Sequence, residues 1–125
     1  MRLFSAIILL ALSSALGFGQ VAEFSIDKST HKFPQTKQGE VIVHDFKVTN
    51  TGKTPLIISQ YEVGCSCTSV DFSNDPIAPG ESSLIRVTFD SKGKYGFQDR
   101  MIKLYTNAKK EELDLRIKVK VVPNE

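Results

Sequence analysis

Leu113-Asp114-Leu115-Arg116-Ile117-Lys118-Val119-Lys120-Val121 alternates apolar and charged side chains without a break. Successive side chains of an extended chain point to opposite faces, so this stretch has one apolar face and one charged face. Such a strand is half-buried: Leu113, Leu115, Ile117, Val119 and Val121 meet a core, while Asp114, Arg116, Lys118 and Lys120 meet water. Upstream, Ser83 to Phe89 repeats the pattern with Ile85, Val87 and Phe89 on one side. Arg100 to Asn107 reads as the strand between these two, after a connection punctuated by Gly93 and Gly96.

Further upstream, Glu40 to Asn50 places Ile42, His44, Phe46 and Val48 on one face and Val41, Val43, Asp45 and Lys47 on the other. Pro55 to Val63 is another strand, carrying Leu56, Ile57, Ile58, Tyr61 and Val63, and Val21 to Asp27 adds an N-terminal one. Asn50-Thr51-Gly52-Lys53 is a turn in which Gly52 can take positive φ without a Cβ penalty. Asp75-Pro76 and Pro79-Gly80 bracket a loop. Beyond the first residues no stretch has a helical period.

The expected fold is therefore all-β: an immunoglobulin-like antiparallel β-sandwich of about seven to eight strands. The chain has no tryptophan and no distant cysteine pair, so burial rather than a bridge between sheets must hold it together. The expected core is Phe24, Phe46, Ile58, Ile85, Val87, Phe89, Leu104, Leu115, Ile117 and Val119. At about 1.5–3 kcal/mol for each large apolar side chain buried, these give a gross term in the tens of kcal/mol, most of which chain entropy cancels.

The chain starts with a short basic segment, Met1-Arg2, then an apolar run from Leu3 to Leu12, then small residues at Ser13, Ser14, Ala15, Gly17 and Gly19. That is the layout of a secretory signal peptide over residues 1–19, and the apolar run is too short to span a bilayer. Cleavage after Gly19 or after Ala15 fits the small residues. The expected organisation is a signal peptide at 1–19 and one sandwich domain at 20–125, giving a periplasmic or secreted protein with no integral membrane segment after processing. The formal charge of +2 includes Arg2. The remaining charges are interspersed, with Lys109-Lys110 as the longest basic run, so no clustered face collects phosphates and no nucleic acid is expected as a partner.

Cys65 and Cys67 are the only cysteines, separated by Ser66, preceded by Gly64 and followed by Thr68. In an extended chain they would point to one side with Cα atoms about 6.6 Å apart, near the upper limit for a disulfide. A bend at Gly64 would bring them closer. The pair is open to several roles: a disulfide, a redox couple, two buried thiols, or a clamp for a soft ion such as Cu(I). A closed zinc site would need two further ligands. His31 and His44 are the strong nitrogen candidates after residue 19, and neither has ligand spacing from the pair. His44 shares the alternation of Phe46 and reads as a core-edge residue, and His31 as a loop residue. Met101 is a solitary thioether far along the chain.

A catalytic thiol would want a neighbouring base or cation, and in sequence the nearest charge is Glu62. Phosphate-gripping glycine loops, nucleophile elbows and paired histidines are missing. Asp71, Asp75, Asp90 and Asp99 are scattered through turns and strand ends. The chain is not expected to be an enzyme and no cofactor is expected, Cu(I) being the alternative.

Phe46-Lys47-Val48-Thr49-Asn50-Thr51-Gly52-Lys53, then Pro55-Leu56, Cys65-Ser66-Cys67-Thr68 and Ile77-Ala78-Pro79-Gly80-Glu81 occur in an order that resembles the bacterial domain-of-unknown-function family 1573. Val87-Thr88-Phe89-Asp90-Ser91, Gly96 and Thr106-Asn107 fit the same pattern, so the resemblance runs from about Val41 to Val122. It implies an immunoglobulin-like domain of the Hydin and major sperm protein type, exported by Gram-negative bacteria, with no established reaction. The family motif has Gly between the cysteines. Ser66 stands there in this chain, which disfavours a positive φ at that position. Together these readings lead to a non-catalytic domain that binds another protein of the cell envelope, through sheet edges or the loop after Cys67. The alternative is a periplasmic thiol-redox or Cu(I)-handling protein acting through Cys65 and Cys67.

Overall fold

The computed structural model describes residues 21–124. The expected signal peptide lies outside the described residues. Strands β1 (Phe24–Ile26), β4 (Val41–Asn50), β7 (Ser82–Asp90) and β6 (Thr68–Asp71) form one antiparallel sheet in the order β1-β4-β7-β6. Strands β2 (Thr30–Lys32), β9 (Glu112–Val122), β8 (Gly96–Thr106) and β5 (Ile58–Val63) form the second, in the order β2-β9-β8-β5. A further short strand, β3 (Thr36–Lys37), also pairs with β9. The fold is the expected all-β sandwich with immunoglobulin-like layering.

Between the sheets, Phe46, Val48, Ile85, Val87 and Phe89 meet Ile58, Ile102, Leu104, Leu113, Leu115, Ile117 and Val119, all buried. Each comes from the apolar phase of an alternating strand, and the antiparallel registers Phe46↔Ile85 and Ile102↔Leu115 bring these residues side by side. Of the expected core, Phe24 alone is only partly buried, because β1 is a three-residue edge strand. Leu56 and Ile77 join the core through a bridge between the two loops that hold them, each amide donating to the other's carbonyl at 2.9 and 2.8 Å.

Two features depart from the sequence reading. First, β2 and β3 run parallel to β9, with His31 opposite Ile117 and Thr36 opposite Val121, so the second sheet is mixed. His31 is accordingly a strand residue rather than a loop residue. Its ring stacks on that of His44 with centroids 3.5 Å apart and planes 7° from parallel, with Phe33 and Phe46 edge-on beside the pair. His44 is half-buried, as expected of a core-edge position.

Second, Gly52 does not take positive φ. A Cβ at Gly52 would run into backbone of the N-terminal segment, Val21 O, Glu23 N and Ala22 C. The segment is held there by Thr51 N donating to Glu23 O at 3.0 Å and Lys53 N donating to Val21 O at 2.9 Å. Close approach, not dihedral freedom, is the physical reason for glycine at this turn.

The two motifs around that turn are one structure. Asn50 is fully buried, its Nδ2 donates to Thr54 O at 2.9 Å and Ile77 O at 2.8 Å, and its Oδ1 accepts from Gly52 N at 2.9 Å. Its main chain reaches the Ala78-Pro79-Gly80-Glu81 turn, accepting from Gly80 N at 2.8 Å and donating to Glu81 O at 2.9 Å. In that turn Gly80 has a φ of 84°, the positive φ that the third residue of a type II turn requires, and proline precedes it, a favoured second residue.

Candidate functional site

Strand β5 ends at Val63 and β6 begins at Thr68, so the chain crosses from one sheet to the other within Gly64-Cys65-Ser66-Cys67. Both strands are sheet edges. The cysteine pair is therefore the corner that joins two open edges on one flank of the sandwich.

The corner is a tight turn and not an extended segment. Thr68 N donates to Cys65 O at 3.2 Å, and the Cys65 and Cys67 Cα atoms are 5.1 Å apart, well inside the extended spacing. The sulfur atoms are at bonding distance, 2.09 Å. Cys67 N donates to Cys65 Sγ at 3.2 Å. No non-glycine residue among those described has positive φ, so Ser66 fits the turn without strain. Gly64 has no positive φ either, and a Cβ there would meet nothing within 4 Å. Thr68 is buried with its Oγ1 3.6 Å from Cys67 Sγ, and Asp90 N donates to Cys67 O at 2.8 Å, which starts the β6–β7 ladder.

Each cysteine faces its own groove. Cys65 lines one of about 390 Å³ with Val63, Gly64, Thr68, Asp99, Arg100 and Met101. Cys67 lines another of about 220 Å³ with Ser66, Asp90, Lys92 and Lys94. Sequence proximity had offered these thiols only Glu62. The fold adds cations, Arg100 on one side and two lysines on the other, and one acid to each groove, Asp99 and Asp90. It also brings Met101 into the groove of Cys65, whereas His31 and His44 line neither groove. Among the described residues no group of three or more His, Cys, Asp or Glu gathers as a metal site.

Arg100 is the residue the sequence reading passed over. Along β8, Gln98, Arg100, Ile102 and Leu104 share the face that turns inward, and an arginine in that phase was the available signal. Its guanidinium carbon lies 5.9 Å over the Phe89 ring, Nη1 donates to Asp99 O at 3.1 Å and Nη2 donates to Gln98 Oε1. Its Nε is shut off from water with no hydrogen-bond partner.

Below the corner, Tyr61 of β5 meets Phe72, just after β6, edge to face at 6.0 Å. Val63 and Val70 are half-buried beside them, so the flank between the two edges is an apolar seam open to solvent. Because Asp90 N reaches Cys67 O, strand alternation turns the backbone groups of Ser69 and Asp71 toward β7 and those of Val70 outward.

The carboxylates do not converge. Asp71 and Asp90 end β6 and β7, Asp75 is in a loop, and Asp99 lies inside β8, paired with Arg116 at 3.1 Å. Among the described residues, no helix is long and apolar enough to cross a membrane.

The family model of proteins of unknown function DUF1573 matches residues 24–121, and the chain belongs to that family. No curated protein sequence matches it. Among solved structures it is similar to a protein of unknown function from Porphyromonas gingivalis W83, at 18% identity and a TM-score of 0.71 over 82% of this chain. The chain spans only 48% of the length of that protein. It is also similar to the ASH/PapD-like domain 7 of human CEP192, at 14% identity and a TM-score of 0.63 over 86% of this chain and 89% of that one. The secreted serine protease VesC from Vibrio cholerae matches at 12% identity and a TM-score of 0.59, over 82% of this chain and 23% of the protease. At these identities the likeness is one of fold.

Proposed function

We propose that this chain is an exported, non-catalytic immunoglobulin-like domain that binds another protein of the cell envelope by pairing with the open edges β5 and β6. The observation that carries this reading is the flank itself. Two edge strands from different sheets lie side by side, joined by a clipped corner, with the apolar seam of Tyr61, Val63, Val70 and Phe72 between them. An edge strand offers unpaired amides and carbonyls to an extended partner, and adjacent apolar side chains supply area and selectivity. Asp71 and Asp90 end strands, Asp75 lies in a loop and Asp99 is paired with Arg116, an arrangement that favours binding over carboxylate catalysis.

The test is co-purification from the envelope of the producing cell with Val70→Pro. Proline at an outward-facing edge position keeps the β6–β7 ladder and removes the outward donor. Loss of the partner at an unchanged melting temperature supports the reading; an unaltered partner overturns it. Intact mass of the protein recovered from the envelope tests export, with cleavage after Gly19 or Ala15 expected.

A second reading rests on Met101 in the groove of Cys65. In the reduced protein two thiolates and a thioether are soft donors suited to Cu(I). Titration of the reduced protein with Cu(I) under anaerobic conditions checks it, with Met101→Leu expected to weaken binding.

A further inference from the structure

We propose that the Cys65–Cys67 disulfide is an exchange site that accepts electrons from a dithiol protein, with Cys67 as the attacked sulfur and Cys65 as the leaving thiolate. This goes beyond the edge-binding role and does not depend on it. A bridge spanning one residue restricts the unfolded chain little, so stapling is a weak reason for it. Its surroundings instead favour exchange.

Thiol–disulfide exchange is fast when the departing sulfur is stabilised as a thiolate and the attacked sulfur is accessible to an anion. Cys65 Sγ already accepts the Cys67 amide proton at 3.2 Å. Arg100 lines the same groove, and its water-shielded Nε has no partner. A neighbouring cation stabilises a thiolate. Asp99 also lines this groove, but Arg116 holds its carboxylate at 3.1 and 3.2 Å. On the other side, Cys67 is half-buried against the core, and on its open side Lys92 and Lys94 attract an incoming thiolate. Asp90, the acid in that groove, is engaged through Oδ1 by Lys92 N at 3.0 Å.

The step balances as follows. A thiolate of the dithiol partner forms a bond to Cys67 Sγ, the Cys65–Cys67 bond breaks, and its electron pair leaves on Cys65 Sγ. The partner's second thiolate then attacks its own sulfur in the mixed disulfide and releases Cys67 as a thiolate. Both cysteines take up protons to the extent the pH allows. Two electrons have moved to this chain, and the partner is left as a disulfide.

The experiment uses the oxidised protein and limiting reduced glutathione at neutral pH, with acid quenching and mass mapping of the adduct. Glutathione on Cys67 with Cys65 free is the expected result; glutathione mainly on Cys65, or no adduct without denaturant, overturns the proposal. Arg100→Gln should slow reduction about threefold, because a leaving thiolate without its neighbouring cation departs more slowly. Arg100→Lys should restore most of the rate, and an unchanged rate in Arg100→Gln would also overturn the proposal. Melting curves of both variants separate this effect from unfolding, and the adduct map on the unaltered chain stands even if Arg100→Gln fails to fold.

Discussion

His31 and His44 stack ring on ring, 3.5 Å apart, and so join β2 of one sheet to β4 of the other. Burial, then the charge of His44, then that of Lys28 hold the pKa of His31 below its ordinary value. Burial lowers that of His44, partly opposed by Asp45. The unfolded chain therefore binds more protons than the folded one just below about pH 6.5. Stability is full above that value and falls as pH drops through the lowered folded-state pKa values. Urea denaturation at pH 7.5 and pH 5 should show this loss, and His44→Phe, which keeps an aromatic stack, should make the profile flatter.

Asn50 should be among the most sensitive polar positions. Asn50→Asp removes both donors while keeping the acceptor for Gly52, and leaves Thr54 O and Ile77 O without their side-chain partner. Ile77 O keeps the Leu56 amide as donor, so one carbonyl is left unsatisfied at about 1–3 kcal/mol, and a loss of about 2 kcal/mol is expected by equilibrium denaturation.

Gly52 and Gly64 should behave oppositely. Gly52→Ala forces Cβ against backbone of residues 21–23 and should cost about 1–3 kcal/mol, as overpacking does. Gly64→Ala meets open space at an ordinary φ and should change stability by about 0.5 kcal/mol or less. Paired denaturation curves check both.

Replacing Cys65 and Cys67 together by serine should lower stability by at most about 2 kcal/mol, because the ring they close is small. A larger drop in the melting curve would make the bridge a structural staple and not an accessory to the corner.

Much of the sandwich was legible from alternation. β4, β7 and β9 each show one buried phase, and Phe46, Ile85 and Ile117 fell where that phase puts them. β2 and β3 were not legible, since two or three residues carry no period and become strands only by lying parallel to β9. His31 was misplaced for the same reason. At the corner the cysteines and Thr68 were visible as a motif. The turn, the two grooves and Arg100 were not, because Arg100 lies on β8, far along the chain, and shares a groove with Cys65 only once β5 has paired with β8. Gly52 was recognised as a turn residue with the wrong physics, because the backbone it must admit comes from residues 21–23.

The most direct test of edge binding is photocrosslinking in the producing cell, with a photoreactive residue at Tyr61 on the seam or, as control, at Leu84 on the outer face of the other sheet. A discrete crosslinked protein from Tyr61 that disappears with Val70→Pro, and none from Leu84, is the expected result. A crosslink from Leu84 alone, or one from Tyr61 that survives Val70→Pro, would contradict it.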